Sequence, residues 1–159
     1  MAYEKATKTR FSKILIAIDG SDHSMKAAKY AIDLAKDNKA QLIALAVLDI
    51  TKIGYAASAF IASPTHGLDE LEQKRKEANE WLDKVGKLIA SQKANYIQFK
   101  SQIEESMSVT GTIVDYAENQ NIDLIVVGSR GRSGFKKLLL GSDTSPIVTY
   151  ATCPVLVIK

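Results

Sequence analysis

Between Gly128 and Ser142 the chain reads GSRGRSGFKKLLLGS, and this stretch concentrates residues whose types and spacing could do chemistry. Gly128, Gly131, Gly134 and Gly141 let a backbone bend sharply and approach a ligand closely, because no Cβ stands in the way. Arg130, Arg132, Lys136 and Lys137 lie among them with no acid before Ser142, so the loop attracts anions. A helix-like segment follows, and the free N–H groups and dipole of a helix start favour phosphate. The chemistry implied is the holding of a nucleotide phosphate. The segment is not a Walker A loop, since Gly-Lys-Ser/Thr is absent and the gap from Gly134 to Gly141 is too long. It is not the dinucleotide fingerprint either, for it lacks Gly-x-Gly. A plain glycine-rich surface connection between a strand and a helix is the other reading of the same residues.

Other chemistry-bearing residues are few. Asp19 closes the apolar run KILIAI and is the first polar residue of note. Ligands of open α/β sheets sit beyond the carboxyl ends of strands, which is where Asp19 would stand. Capping or orienting the next helix start is its simpler role, as it is for Ser21 and Ser24. Cys153 is the single cysteine, so no internal disulfide framework exists. It precedes Pro154 and an apolar run, which predicts a buried, inert thiol. His23 and His66 are far apart in sequence, so a zinc site or a histidine-dependent triad has little support.

These residues need a scaffold to position them. At 159 residues the chain suits one domain able to bury a substantial core. Its apolar and charged fractions, 46% and 25%, are those of a globular protein, and a net charge of +3 without a long basic run does not indicate nucleic-acid binding. Residues 1–10 are polar and basic with no apolar centre, unlike a signal peptide, and read as a loose tail. The apolar-leaning stretch from Ile53 to Ala62 is too short to span a bilayer, so a cytoplasmic protein is expected.

Strands are expected at Lys13–Ile18, Gln41–Leu48, Leu124–Val127 and Pro154–Ile158, all apolar runs; Leu124–Val127 is of the kind buried on both faces, and the terminal run is an exposed one. Tyr96–Ile103 alternates and predicts a half-exposed edge strand. Helices are expected over Asp22–Asp37, with Ala27, Ala28, Ala31, Leu34 and Ala35 inward, and over Asp69–Lys93, with Leu71, Ala78, Leu82, Val85 and Ile89 inward. A third covers Ser106–Asn119, and a short one follows the glycine loop. Lys74, Arg75, Glu77, Glu80 and Lys84 read as a solvated face, and Trp81 as packing beside the core stripe. Residues 50–68 form the least regular segment, and a loop of that length is usually functional or mobile. Alternating strands and helices imply right-handed crossovers and a doubly wound parallel sheet in an α/β fold.

The pattern Gly128-x2-Gly131-x9-Gly141-Ser142, with SRGR inside it, resembles the ATP-binding signature of the universal stress protein family. KILIAIDGSDHSMKAAKYAIDLA resembles that family's first strand, aspartate and small-residue helix, and CPVLVIK its terminal strand. The resemblance covers nearly the whole chain as one domain, 1–159. It implies a five-stranded sheet of order 3-2-1-4-5, related to the adenine-nucleotide α-hydrolase architecture, and a homodimer paired through the terminal strand at 154–158. It also implies ATP as ligand, with or without Mg2+ or Mn2+. By position, Ala17, Ile18 and Asp19 would face the adenosine, and Val47 would wall the adenine. Val127 and Gly128 would lie beneath the ribose and phosphates. Arg130, Gly131, Gly141, Ser142 and Thr144 would cradle the phosphates. Asp143 departs from the pattern by setting a carboxylate beside the phosphate position, and is expected to point away as a helix cap. Pro146 fits a first helical turn capped by Thr144 or Ser145. Ser142 has a helix N-cap as its simpler role.

The function implied is that of a dimeric stress-response sensor or regulator, acting on an unidentified protein partner, with slow ATP hydrolysis or none. Asp19 and Asp143 are the nearby candidates to position a water or a metal. Adenylating activity is disfavoured, because IDGSDHS lacks the double glycine that such enzymes carry after the first strand. A non-nucleotide interaction protein and a cyclic AMP binder are the alternatives.

Overall fold

Backbone hydrogen bonds of a strand flanked on both sides must be met by other strands, so the apolar runs of the sequence end up side by side. The computed structural model describes residues 11–53, 64–131 and 140–159. Strands β1 (Lys13–Ala17), β2 (Gln41–Asp49), β3 (Phe99–Ser106), β4 (Leu124–Gly128) and β5 (Val155–Ile158) form one parallel sheet of order β3-β2-β1-β4-β5. Helix α1 (Asp22–Asn38) follows β1, a single turn α2 (Ile50–Ile53) follows β2, and α3 (Pro64–Ser91) leads to β3. Helices α4 (Val109–Asn119) and α5 (Thr144–Tyr150) precede β4 and β5.

Side-chain alternation divides the core in two. Ile14, Ile16 and Ile18 of the first strand and its exit, with Ala44, Ala46 and Leu48 of β2, face α1 and α3. Leu15, Ile43, Leu45, Ile125 and Val127 face α4 and α5. The alanines of α1 are fully buried, which lets that helix lie close on the sheet. Ala78, Leu82, Val85 and Ile89 bury the expected stripe of α3.

The first strand is also held from outside the sheet. The Asp123 carboxylate accepts from the backbone N–H groups of Ser12 (2.7 Å) and Lys13 (2.8 Å), and Lys13 Nζ donates to the Gln120 carbonyl at 2.9 Å.

Several boundaries differ from the sequence reading. Residues 94–97 make a turn, with Ile97 N donating to the Ala94 carbonyl, so β3 begins at Phe99 rather than Tyr96. It continues through Glu104 and Glu105, because an edge strand needs only backbone pairing, here to β2 as far as Asp49↔Ser106. Helix α4 starts at Val109, since Ser108 is the residue that caps it, its Oγ accepting from Gly111 N at 3.1 Å. Of the expected loop 50–68, Ile50–Ile53 and Pro64 onward are helical, and 54–63 lie outside the described residues. Pro64 opens α3 where its missing N–H costs nothing. Cys153 is half-buried rather than buried, and desolvation pushes its thiol pKa up, away from the reactive thiolate.

Candidate functional site

At the carboxyl end of a parallel sheet the chain leaves each strand into a loop, and loops from neighbouring strands converge. Here β1, β2 and β4 leave a cleft of about 480 Å3 at their ends. It straddles the rim of the sheet. On the α4/α5 side the walls are apolar, formed by Leu45, Val47, Val109, Ile113, Val127 and Ile147. On the α1/α3 side they are mixed, with Leu48, Lys74, Glu77 and Trp81.

The residues that the resemblance assigns to the ligand all line this one cleft except Gly141. They are Ala17, Ile18, Asp19, Val47, Val127, Gly128, Arg130, Gly131, Ser142, Asp143 and Thr144. Gly141 stands directly behind it. Its N–H donates to the Ser129 carbonyl at 2.7 Å, and a Cβ there would come within 3.3 Å of Arg130 Cα and Gly131 N. The described ends of the glycine loop are therefore fastened by the protein's own bonds: Ser129 N donates to the Ile158 carbonyl, and Ser145 N to that of Gly141. Arg132, Gly134, Lys136 and Lys137 lie outside the described residues.

Asp19 lines the cleft and also orients the start of α1. One carboxylate oxygen accepts from Ser21 N (3.0 Å) and Ser21 Oγ (2.6 Å). Ser21 Oγ in turn accepts from Ser24 N at 3.1 Å, so Ser21 is the N-cap of α1 and Asp19 fixes its hydroxyl. The other oxygen lies 2.8 Å from where a Gly131 Cβ would stand, so only glycine at 131 leaves the carboxylate in place.

Thr144 is buried, and its Oγ1 donates to the Gly128 carbonyl at 2.9 Å, tying the start of α5 to the end of β4. Neither Ser142 nor Asp143 caps that helix. Ser142 is exposed in the turn before it. Asp143 sits at the capping position without a side-chain hydrogen bond to the backbone. The reason is conformational: its φ and ψ, −91° and −33°, are already helical, whereas a capping side chain needs extended backbone. Asp143 instead lines the cleft, against the expectation that it points away. Surrounding protein atoms, crowding its inner side while the outer side meets solvent, push its pKa up; Lys52 opposes this, and Asp19 and Asp49 add to it.

The sequence reading missed the contribution of the α1/α3 side. Asp49 turns the chain into α2, accepting from Thr51 N at 3.0 Å and pairing with Lys52 at 3.2 Å. The Thr51 hydroxyl bond, with Lys52, holds its pKa below the usual value. Lys74 and Glu77, read as solvated, are half-buried in the cleft wall, whereas Arg75 pairs with Glu105 of β3. Trp81 packs, as expected, but on the exit of β1: a Cβ on Gly20 would meet its ring at 2.4 Å. Gly20 has φ of +81°, so both its backbone angle and the ring demand glycine.

An apolar slot beside a rim that carries Arg130, Gly131 and Ser142 could seat a planar group next to an anionic one. Among the described residues no cluster of three histidines, cysteines or carboxylates could hold a metal ion by itself. Asp19 and Asp143 could supply part of the shell of a divalent ion whose remaining ligands were phosphate oxygens and water. No helix among the described residues is long and apolar enough to cross a membrane.

Fold and cleft together define an α/β protein with a doubly wound parallel sheet and a cleft at the carboxyl ends of its strands. Residues 10–159 match the model of the universal stress protein family, to which the chain belongs. It is 36% identical over 151 residues to universal stress protein MJ0531 of Methanocaldococcus jannaschii, covering 94% of this chain and 82% of that one. Among solved structures it is similar to the hypothetical protein MJ0577, at 26% identity and a TM-score of 0.76, covering 95% and 97% of the two chains. Two more distant structures, both 19% identical, share the fold. One is a universal stress protein in complex with cAMP (TM-score 0.65, covering 94% of this chain and 98% of that one). The other is from Archaeoglobus fulgidus in complex with dAMP (TM-score 0.66, covering 95% and 100%).

Proposed function

We propose that the cleft binds ATP and that the protein is a nucleotide-responsive universal stress protein, a sensor or regulator rather than an efficient enzyme. The observation that carries this is the meeting of Asp19, Val47, Val127, Gly128, Arg130, Gly131, Ser142 and Thr144 in one cleft whose apolar and polar parts are separated. The base would lie against Val47, Val109, Ile113 and Ile147, and the phosphates over Gly131 and Ser142, with Thr144 holding the loop from behind. The cAMP and dAMP complexes of the structural relatives support an adenine nucleotide as the class of ligand. ATP arrives with Mg2+ or Mn2+ on this reading, because Asp143 and Asp19 need a counter-charge beside the phosphates. Slow turnover or none is part of this reading, Asp19 and Asp143 being the carboxylates among the described residues near the phosphate position.

The protein works in the cytoplasm as a single-domain homodimer in this proposal. β5 is an edge strand with Val155, Leu156 and Val157 half-exposed, and an unpaired edge of that kind seeks a second strand. Nucleotide would act by population shift, altering a surface that a protein partner reads.

A second reading has its own observation. The described charged residues of the cleft are Asp19, Asp49, Glu77 and Asp143 against Lys52, Lys74 and Arg130. That balance favours a ligand with less negative charge than ATP, such as cyclic AMP, and competition between the two separates the readings.

Calorimetric titration of nucleotide-free protein with ATP, with and without magnesium, beside a Gly131→Glu variant, tests the proposal. Binding by the parent and loss in the variant are expected. A folded parent that binds neither ATP nor cyclic AMP would overturn it in favour of a non-nucleotide interaction protein.

A further inference from the structure

The apolar lobe of the cleft accounts for one base, and the phosphate cradle lies at the rim between Asp19 and Gly131. The cleft does not stop there. It continues onto the other face of the sheet, where Trp81, Glu77, Lys74 and Lys52 line it. Trp81 also packs against the core here, Lys52 pairs with Asp49 at 3.2 Å and Lys74 with Glu70 at 3.7 Å. Trp81 is only partly buried, and its ring is seated on the backbone of the β1 exit, with Gly20 in the one conformation that makes room for it. A ring held there is a fixed wall at Gly20, three residues past the end of β1 and one past Asp19.

The chemistry of this lobe matches a nucleoside. An indole offers a stacking surface for a planar base, worth about as much as any single contact a base makes. A carboxylate such as Glu77 accepts from ribose hydroxyls. Lys74 and Lys52 are ammonium groups on the same side of the rim, suited to phosphates running across it. Among the described residues the first lobe has the apolar wall and no lysine, so the two ends of the cleft differ in chemistry.

We propose that the cleft holds two subsites and that its preferred ligand is a dinucleoside polyphosphate, one base in the Val47 lobe, the phosphate chain crossing at Asp19 and Gly131, and the second base against Trp81. This rests on the nucleotide reading of the first lobe. Binding is non-covalent, and ATP would fill the first lobe and the crossing alone.

Trp81 is the chain's sole tryptophan, so its emission reports the second lobe directly. The probes are diadenosine tetraphosphate and ATP, each titrated with magnesium by calorimetry and by tryptophan fluorescence, against the parent, Trp81→Leu and Glu77→Gln. The parent is expected to bind the dinucleotide about tenfold more tightly than ATP, the equivalent of one stacked base, with quenching by the dinucleotide and little by ATP. In Trp81→Leu the affinity ratio of the two ligands should fall to within about twofold, and Glu77→Gln should lower it in the same direction while keeping the fluorescence signal. Equal affinities in the parent, or a ratio that neither substitution changes, would overturn the second subsite while leaving the nucleotide reading intact. Absence of heat from both ligands in a folded parent would overturn both.

Discussion

The hydroxyl of Thr144 is a single group on which both the fold and the cleft depend, and Thr144→Val removes it with almost no change in shape. Its bond to the Gly128 carbonyl is 2.9 Å long and buried. A net hydrogen bond contributes about 1 kcal/mol, and a buried acceptor left without its partner costs about 1–3 kcal/mol. Gly128 is paired in the sheet with Ile158, and a carbonyl has two lone pairs, which puts the expected loss near the lower end, about 1–2 kcal/mol. For a chain of this size that lowers Tm by about 3–6 °C. Thr144→Ser is the control: it keeps the hydroxyl and gives up one methyl group, at most about 0.8 kcal/mol. Urea unfolding followed by circular dichroism gives both differences, and calorimetry with ATP shows whether loosening α5 from β4 also weakens binding. Thr144→Val as stable as the parent, or Thr144→Ser as damaged as Thr144→Val, would refute the reasoning.

Ser21→Ala deletes the N-cap of α1 and the donor that fixes Asp19, so a stability loss of about 1–2 kcal/mol and weaker nucleotide binding should appear together in urea melts and calorimetry. Gly20→Ala places a Cβ at φ +81° and inside the Trp81 ring, so about 1–2 kcal/mol of backbone strain should come with a red-shifted tryptophan emission as the ring moves into water. Asp143 has a raised pKa in the fold, so its favourable contribution is present below the ordinary value of 3.8 and is lost as pH rises through the folded value. Asp143→Asn should therefore gain on the parent in thermal melts as pH increases from 3.8 upward, and should bind metal-free ATP roughly fivefold more tightly at neutral pH, since about 1 kcal/mol of like-charge repulsion disappears. A stability difference independent of pH would count against this.

How much of this could be read from the chain varies by element. Strands β1, β2 and β4 announce themselves because a strand covered on both faces is apolar without interruption, and the glycine loop is visible because backbone approach to a ligand requires residues without Cβ. The limits of β3 were not legible: Ile97 is apolar because it is buried in a turn, and the strand itself is polar because it lies at an edge. Asp143 misled for a local reason, since an aspartate before a helix is usually a cap and only its φ and ψ show that it is not. Trp81, Glu77 and Lys74 were not legible at all as cleft residues. They sit on the shoulder of an amphipathic helix, and their place is decided by where α3 crosses the exit of β1, which helical periodicity does not encode. The signal that could have found them is the pairing of the chain's sole tryptophan with a Gly20 that a capped helix start does not otherwise need.

The Asp123 carboxylate that closes onto the backbone of Ser12 and Lys13 joins positions 110 and 111 residues apart. β1, at the centre of the sheet, borders β4 on one side, so its edge stays open until β4 has been synthesised. At ribosomal rates of about 5–20 residues per second, that is a wait of about 5–20 s during which KILIA exists with one flank unpaired. Such a nascent chain presents a long apolar edge to its surroundings before the native partner exists. Supervision by chaperones during translation, rather than after release, is the corresponding requirement of a fold whose first-made strand is completed near the end.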